Sequence, residues 1–197
     1  MLENLLPYDG ELIYIQNFLS EAEQLRYFML LSETIDWKND EVVIYGKRII
    51  TARKVAWYAE DNISYTYSGN MKVGNEFTKE LLELKSKILE FDKTNFNSCL
   101  LNLYHSGDEG MSWHSDNEKE IVKNSCIASI SLGAQRHIDF KHKTKQTKVR
   151  VELASGSLLL MRAEIQNFWL HALPKTKKVS APRINLTYRY LNNGIQS

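Results

Sequence analysis

The sequence predicts a mainly β fold with flanking helices, and three observations support this prediction. After Asn97 the chain consists of short β-prone segments separated by polar turns, which is typical of a β-sandwich or barrel. Residues 42–51 form two further β-prone runs around a glycine, a pattern that predicts a β-hairpin. Helical spacing of apolar residues occurs in two segments, both before residue 97.

The individual elements follow from local patterns. The first helix is predicted over about residues 20–32, because Ser20 and Glu23 form a capping box before an apolar periodic segment. The second helix is predicted where five apolar residues recur at helical spacing: Phe77, Leu81, Leu84, Ile88 and Phe91. Strands are predicted at residues 98–104, 126–132, 136–141, 148–153, 157–162, 167–171 and 183–190.

Composition limits the class of protein. A chain of 197 residues is long enough for one domain with a sizeable core, or for a core with a small lid. The formal net charge of +1 excludes the strong basic field of a protein that coats nucleic acid. Cys99 and Cys126 lie in apolar runs and are expected to be reduced thiols. The sequence contains neither a basic, apolar leader nor an apolar run of about 20 residues. We therefore expect a soluble protein of the cytoplasm, or of the nucleus in a eukaryote, with no membrane partner.

Three residues form a candidate metal site. His114 and Asp116 lie in the run W-H-S-D, and His171 lies in F-W-L-H. Two imidazoles and one carboxylate are the protein ligands of non-haem Fe(II) oxygenases, although zinc accepts the same donors. The absence of an H-E-x-x-H helix argues against a zinc hydrolase. Considered singly, His114 and Asp116 also fit a solvated loop after the strand at 98–104, and His171 fits either a hydrogen-bonded core histidine or a histidine at a strand end.

The segment R-I-N-L-T-Y-R, residues 183–189, strengthens the metal-site hypothesis. As a strand it places four polar residues on one face: Arg183, Asn185, Thr187 and Arg189. Buried guanidinium groups need anionic partners, and a dicarboxylate cosubstrate beside the metal would supply them.

A second polar row lies on the predicted strand at 98–104. Asn102 and Tyr104 share a face with Leu100, while Cys99 and Leu103 lie on the other face. Two interpretations are open: the polar residues orient a bound carboxylate in an apolar pocket, or the segment is an edge strand with polar residues in water.

Six runs resemble, in order and spacing, the AlkB family of 2-oxoglutarate-dependent nucleic-acid demethylases, and most of all its branch that repairs duplex DNA. They are N-S-C-L-L-N-L-Y, M-S-W-H-S-D, I-A-S-I-S-L-G, G-S-L-L-L-M, W-L-H-A-L-P and R-I-N-L-T-Y-R, within residues 40–191. The resemblance implies a double-stranded β-helix (jelly-roll) core with an N-terminal nucleotide-recognition lid. Residues 1–97 would form the helices and the lid, and residues 98–197 the catalytic core, in one compact unit.

The same resemblance implies Fe(II) as cofactor, with 2-oxoglutarate and O₂ as cosubstrates. His114, Asp116 and His171 would hold the iron. Arg183 would pair with the distal carboxylate of 2-oxoglutarate, and Arg189 would lie nearer the metal, among the catalytic residues. The residues expected to contact the cosubstrate are Asn102, Tyr104, Arg183, Asn185, Thr187 and Arg189.

Two further segments are interpreted from the resemblance as substrate contacts. The run I-Y-G-K, with Tyr45, Gly46 and Lys47, resembles a hairpin finger in which an aromatic ring replaces an extruded base. The run Y-T-Y-S-G would place Tyr65 and Tyr67, with Thr66 between them, as walls around the flipped base. Without the resemblance, Tyr45 fits an exposed hairpin aromatic, and Tyr65 and Tyr67 fit a cross-strand pair in the core.

Polar residues near the metal and a basic loop complete the expected substrate contacts. Asn117 and Glu118 follow the H-x-D unit, where the duplex-repair branch has two acids, so the set of preferred lesions stays open. Lys177 and Lys178 match a basic loop that contacts the duplex backbone in similar proteins, whereas a lysine run alone is usually a solvated loop.

The activity implied by the resemblance is DNA repair by direct reversal of damage. N-alkylated bases of the 1-methyladenine and 3-methylcytosine type would be demethylated oxidatively, with release of formaldehyde and succinate. The expected partner is alkylated duplex DNA, and the expected state is a monomer. The alternatives are the same chemistry on RNA or single strands, and a non-catalytic jelly-roll binding module with a degenerate or zinc-filled site.

Overall fold

The computed structural model describes residues 2–44, 47–60, 63–67 and 70–192, with only the backbone described for 41–44, 47–49, 64–67 and 70–73. The helices are α1 (Glu21–Thr34), α2 (Lys79–Ile88) and α3 (Ile165–Phe168). The strands are β1 (Glu11–Ile15), β2 (Lys38–Ile44), β3 (Lys47–Ala59), β4 (Ser64–Tyr67), β5 (Asn70–Val73), β6 (Ser98–Tyr104), β7 (Met111–His114), β8 (Ile127–Gly133), β9 (Arg136–His142), β10 (Lys148–Leu153), β11 (Ser157–Arg162), β12 (Trp169–Leu173) and β13 (Arg183–Arg189).

Most of these strands form two antiparallel sheets. The larger sheet has the order β1-β11-β8-β13-β6-β3-β2, the smaller has the order β10-β9-β12-β7, and β4 pairs separately with β5. From β6 onwards, consecutive strands alternate between the two sheets, apart from β9 and β10, which are neighbours in the smaller sheet. This alternation is the topology of a jelly roll. The predicted mainly β fold with a jelly-roll core is therefore confirmed.

The first 97 residues extend the larger sheet. β1 pairs with β11 along one edge, and β3 pairs with both β6 and β2 near the other. The predicted hairpin is confirmed in its strands, because β2 and β3 are antiparallel and Ile44 lies opposite Lys47. The division of the chain at residue 97, and a lid function for the part before it, stay predictions.

Both predicted helices are present, and each begins at a side-chain cap. Ser20 and Glu23 form the predicted capping box before α1, and the Thr78 hydroxyl accepts a hydrogen bond from the backbone at the start of α2. The second helix is shorter than predicted, since Phe77 precedes its cap and Phe91 follows its last turn. No helix in the described ranges is both long and apolar enough to cross a membrane.

The larger sheet has different chemistry on its two faces. One face packs against α1 and α2 in an apolar cluster that includes Leu31, Leu84, Leu101, Leu186 and Tyr188. The other face is turned toward the smaller sheet and carries the polar rows of β6 and β13 that line a cavity. Period-two alternation therefore places the polar residues as predicted. Because β6 lies between β13 and β3, the interpretation of β6 as an edge strand in water is wrong.

Two predictions near the metal ligands need correction. The strand predicted at 167–171 begins only at Trp169, because residues 165–168 form α3, in which the Glu164 carbonyl accepts hydrogen bonds from the backbone N–H groups of Asn167 and Phe168. His171 consequently lies in the middle of β12 and not at its end. His114 was expected in a loop but is the last residue of β7.

Candidate active site

Three side chains converge between the two sheets. The register of β7 and β12 places His114 opposite His171, and the centres of the two rings are 4.2 Å apart. Asp116 follows two residues after His114, and its Oδ1 lies 3.6 Å from His114 Nε2. One possible ligand atom from each residue lies within 4.8 Å of the other two. This separation allows one metal ion to contact all three donors.

Burial differs among the three residues. Asp116 and His171 are 5% and 7% exposed, so the interpretation of Asp116 as part of a solvated loop is wrong. The His114 side chain is 36% exposed and leaves one side of the site accessible. Three protein donors with one open side fit a metal that must also bind small ligands. Two imidazoles and one carboxylate therefore match the donor set of a non-haem Fe(II) site.

Hydrogen bonds orient the donor atoms. His114 Nδ1 lies 2.8 Å from the Ser112 carbonyl oxygen, which can only accept, so Nδ1 carries the proton and Nε2 has a free lone pair. Arg189 Nη2 donates a 2.7 Å hydrogen bond to Asp116 Oδ2. That bond occupies one carboxylate oxygen and leaves Oδ1 facing His114.

Electrostatics keep these groups in the protonation states that a metal needs. Burial alone raises the pKa of Asp116, but the positive charge of Arg189 and the neighbouring imidazoles outweigh it and hold that pKa well below its usual range. Burial lowers the pKa of His171 to about 4, although the Asp116 carboxylate acts in the opposite direction. A metal ligand must be an ionised carboxylate or a neutral imidazole, and both conditions hold at neutral pH.

A cavity of about 90 Å³ adjoins the three donors. Its walls include apolar residues from both sheets, such as Leu100, Ile138 and Leu173. The polar part of its lining contains all six residues predicted to contact a cosubstrate: Asn102, Tyr104, Arg183, Asn185, Thr187 and Arg189. An apolar cavity with a few convergent polar groups is typical of a small-molecule site.

Arg183 indicates an anion in this cavity. The side chain is 2% exposed, and its Nη2 donates a hydrogen bond to Ser131 Oγ at 2.9 Å. Its Nε has no hydrogen-bond partner among the described residues, and neither has Asn102 Oδ1. Burial, with a smaller contribution from the nearby charge of Arg136, lowers the pKa of Arg183 to about 10. A buried cation with an unused N–H fits a carboxylate ligand.

The other polar residues of the cavity differ in how they are engaged. The Asn185 amide donates to Ser129 Oγ at 2.8 Å and to the Ile130 carbonyl at 3.0 Å, so its N–H groups are used within the sheet. The Tyr104 ring lies 5.5 Å from the Arg183 guanidinium carbon. Contact of Asn185 and Tyr104 with a cosubstrate stays a prediction.

Arg136 is a buried residue of the site that was not predicted from the sequence. This residue is 2% exposed, and its guanidinium donates to the carbonyls of Ser106, Glu109 and Pro174. It therefore ties the loop before β7 to the segment after β12. Its ring contact with Tyr104, at 6.0 Å, brings a second buried positive charge close to the proposed anion.

A second cavity of about 340 Å³ lies beside the candidate metal ligands and is lined in part by Asp116. Asp116 and Glu118 line both cavities, whereas Asn117 lines only the second of the two and is exposed. Asn117 and Glu118 therefore lie next to the metal site, where a bound substrate would be close to them. Their role in substrate binding stays a prediction.

The aromatic residues predicted to contact the substrate have side chains outside the described part of the structure. Tyr45 and Gly46 lie outside the described residues. Only the backbone is described for Lys47, Tyr65, Thr66 and Tyr67. That backbone forms part of β3 and of β4. Whether these rings contact a base stays a prediction.

Lys177 and Lys178 are exposed on the segment between β12 and β13. The segment is fixed at its base, because Gly107 N–H donates to the Val179 carbonyl at 2.7 Å and the Thr176 N–H donates to the Gly107 carbonyl at 2.8 Å. An exposed lysine pair on an anchored loop can contact a phosphate backbone, and this role also stays a prediction.

Comparisons with known proteins agree with this site. The family model described as the 2OG-Fe(II) oxygenase superfamily matches residues 11–189. The DNA oxidative demethylase ALKBH2 of Mus musculus is 34% identical over 180 residues, which cover 86% of this chain and 75% of that protein. The protein of the same name from Homo sapiens is 36% identical, with 86% and 69% covered.

Two further matches extend the comparison. The alpha-ketoglutarate-dependent dioxygenase alkB homolog 3 of Bos taurus is 34% identical over 181 residues, which cover 87% of this chain and 62% of that protein. The solved structure of OsALKBH1 matches with a TM-score of 0.62 at 14% identity, covering 94% of this chain and 99% of that one, and so supports the fold. From the family model and the ALKBH2 relatives together, this chain belongs to the AlkB family within the 2OG-Fe(II) oxygenase superfamily, whose members are dioxygenases that use Fe(II), 2-oxoglutarate and O₂.

Proposed function

We propose that this enzyme removes N-methyl groups from bases in DNA by oxidation. The observation that carries the proposal is the convergence of His114, Asp116 and His171 beside a cavity lined by Arg183, whose Nε has no hydrogen-bond partner in the described part of the chain. The relatives named DNA oxidative demethylase ALKBH2 support DNA as the substrate class. The family assignment favours an enzyme over the non-catalytic binding module considered from the sequence.

We assign the three converging residues as ligands of Fe(II). The Arg189 guanidinium would keep Asp116 ionised, and the Ser112 carbonyl would keep His114 Nε2 free for the metal. Fe(II), when bound, would supply the oxidation with 2-oxoglutarate and O₂, in which the cosubstrate is decarboxylated to succinate and CO₂. The protein contributes the donor geometry and an apolar cavity that limits the access of water.

The polar row of β13 and β6 would hold 2-oxoglutarate. Arg183 is assigned to the distal carboxylate, because its charge is buried and its Nε is unused among the described residues. Asn102 and Tyr104 would orient the cosubstrate through an amide and a phenol, with Thr187 and Asn185 beside them. Arg189 would lie at the metal end, where it already contacts Asp116.

The substrates we propose are bases of the 1-methyladenine and 3-methylcytosine type. Hydroxylation of the N-methyl group gives a hemiaminal, which loses formaldehyde and leaves the unmodified base. These lesions carry a positive charge, so stacking on Tyr65 and Tyr67 would gain a cation–π contribution. A methylated base also pairs poorly, which lowers the cost of extruding it. Asn117 and Glu118 are assigned to the substrate side of the metal.

For duplex DNA we propose that Tyr45 fills the space left by the flipped base and that Gly46 and Lys47 complete the finger. The two strands on either side of Tyr45 pair as a hairpin, which suits a side chain presented at a tip. Lys177 and Lys178 would contact the phosphate backbone. We expect a monomer that acts in the compartment that contains the DNA, the cytoplasm or, in a eukaryote, the nucleus.

A methylated-oligonucleotide panel tests this proposal. Formaldehyde and succinate are measured with single- and double-stranded DNA and RNA that carry 1-methyladenine or 3-methylcytosine, with Asp116→Ala as the inactive control. The proposal predicts equal amounts of formaldehyde and succinate on methylated DNA. Activity on RNA alone would contradict DNA as the substrate. Succinate release with no formaldehyde from all of the methylated oligonucleotides would contradict demethylation.

A further inference from the structure

Gln166 joins the two segments that carry the converging donors. Its side-chain oxygen accepts a hydrogen bond from the backbone N–H of Asp116 at 2.9 Å. Gln166 itself lies in α3, shortly before His171 in β12. The hydrogen bond thus connects the segment that carries His114 and Asp116 to the segment that carries His171, although its two partners are 50 positions apart in the sequence.

A lysine attaches the same two segments a second time. The ammonium group of Lys143 donates to the Gln166 backbone carbonyl at 2.8 Å and to Ser115 Oγ at 3.3 Å. Ser115 lies between His114 and Asp116. The turn that follows β7 is therefore held from α3 by the Gln166 side chain and, through Lys143, by the Gln166 backbone.

Helix α3 is itself fixed to the body of the protein. Ile165 is 2% exposed, and a Cβ atom at Gly10 would lie only 2.9 Å from Ile165 Cα, so the two backbones are in close contact. Trp169 Nε1 donates to the carbonyls of Tyr8 and Asp9 at 3.3 and 3.1 Å. Because both ends of α3 are packed, Gln166 can hold its partner in a defined position.

We propose that Gln166 is a positioning residue of the metal site, an inference that rests on the proposed function. Asp116 lies beyond the end of β7, in a segment that belongs to no helix or strand, so its backbone position depends on contacts outside the sheet ladders. Arg189 fixes the carboxylate of Asp116, and Gln166 fixes its backbone N–H. Together these two bonds set the direction in which Oδ1 faces His114. Groups that orient a ligand in this way affect metal affinity without contacting the metal.

Cobalt binding tests this inference without turnover. Metal-free full-length protein is titrated with Co(II) in the presence of 2-oxoglutarate, and the visible absorption of the bound ion gives the dissociation constant. Gln166→Met preserves chain length and removes the acceptor, and it should weaken binding on the order of tenfold. Gln166→Glu keeps an oxygen acceptor and should recover most of the affinity. Asn167→Ala is the matched control on α3, because the Asn167 side-chain amide donates to Asn124 Oδ1 at 3.4 Å, and this variant should bind like the wild type.

The cobalt titrations distinguish a failure of the inference about Gln166 from a failure of the proposed function. Wild-type Co(II) affinity in a folded Gln166→Met protein would overturn the inference, and so would an equal loss in Asn167→Ala, since that would indicate general damage to α3. If Gln166→Met does not fold, Lys143→Met tests the second attachment between the two segments. This variant should also weaken Co(II) binding several-fold. Unchanged Co(II) binding in a folded Lys143→Met protein would overturn the inference. Failure of the wild type itself to bind Co(II) would contradict the proposed function instead.

Discussion

Arg189 and Asp116 form a buried ion pair in which Arg189 Nη2 lies 2.7 Å from Asp116 Oδ2, with side-chain exposures of 8% and 5%. The pair links the last residue of β13 to a candidate metal ligand. It keeps the carboxylate ionised in a site where burial alone would favour its neutral form. Arg189 therefore links the charge of the candidate metal site to the adjoining cavity, because it contacts Asp116 and also lines that cavity.

Removal of the cation should destabilise the metal-free protein. Arg189→Gln leaves the Asp116 carboxylate buried without its charged partner, and we expect the free energy of unfolding to fall by about 3 kcal/mol. Urea denaturation measures the change. Arg150→Gln is the matched control, because Arg150 pairs with Asp139 at the surface, where water and salt screen the attraction and such pairs contribute little to stability. Equal losses in the two variants would show that burial of the Arg189 pair has no special effect.

The metal-free protein should lose stability in mild acid because of His171. Burial lowers the pKa of His171 to about 4, whereas the unfolded residue titrates near 6.5. Between these values the unfolded chain binds more protons than the folded one, so the free energy of unfolding falls as pH falls from about 6.5 to 4, by up to about 3 kcal/mol. The lowered pKa of Asp116 reduces the free energy of unfolding only at still lower pH, as the pH falls below the usual aspartate value of 3.8. Urea denaturation at pH 7, 6 and 5 measures the slope, and His171→Gln should flatten it; an unchanged slope in that variant would exclude His171 as the cause.

Loss of Arg183 should weaken 2-oxoglutarate binding selectively. Arg183→Gln removes the buried charge assigned to the distal carboxylate, and we expect the dissociation constant of 2-oxoglutarate to rise at least about tenfold. Anaerobic titration with Fe(II) present measures it. 2-Oxobutanoate, which lacks the distal carboxylate, should bind the variant and the wild type with similar affinity. A similar loss for both ligands would place Arg183 elsewhere than at the distal carboxylate.

The Tyr45→Ala variant tests the proposed finger. If the ring fills the gap left by an extruded base, the variant should lose much more activity on methylated duplexes than on single strands, where there is no stack to fill. Initial rates of formaldehyde release on both substrates give the ratio. Ile50→Ala, at an exposed position on β3 of the same hairpin, should leave the ratio unchanged. Equal losses on duplex and single strand in Tyr45→Ala would contradict the wedge.

The lysine pair on the segment after β12 should contribute to the salt dependence of DNA binding. A Lys177→Ala, Lys178→Ala double variant removes two phosphate contacts, so the slope of log affinity against log salt concentration should decrease in magnitude by about 2. Fluorescence anisotropy with a labelled duplex at several salt concentrations measures this slope. Lys93→Ala, exposed beyond α2, should keep the wild-type slope. A wild-type slope in the double variant would remove these lysines from the interface.

The sequence predicted those parts of the fold and of the site that depend on short-range patterns, namely the alternation of side chains along a strand and the capping of a helix. Alternation along residues 183–189 and 98–104 predicted which side chains face the cavity, and Ser20 with Glu23 predicted the start of α1. The short strand β7 was missed, because it has only four residues, M-S-W-H, too few for their alternation of apolar and polar side chains to predict a strand. Helix α3 was missed because a single turn leaves no periodic pattern.

Residues that act through distant partners could not be predicted. Gln166 contacts Asp116 across 50 positions, and the Arg136 partners lie 27 to 38 positions away. Neither residue stands in a recognisable local motif, because its role comes from tertiary packing. That Arg183 Nε has no partner within the described ranges likewise becomes visible only when its surroundings are known, although the need for an anion was expected from the two arginines of the segment 183–189.

The most direct test of the account is anaerobic titration of the metal-free protein with Fe(II) and 2-oxoglutarate, followed by absorption spectroscopy. A ferrous site held by His114, Asp116 and His171, with the keto acid bound beside it, should give a visible charge-transfer band that saturates at one equivalent of Fe(II). The band should be absent from Asp116→Ala. No band in the wild type, or an undiminished band in Asp116→Ala, would contradict the assignment of these three residues as the iron site.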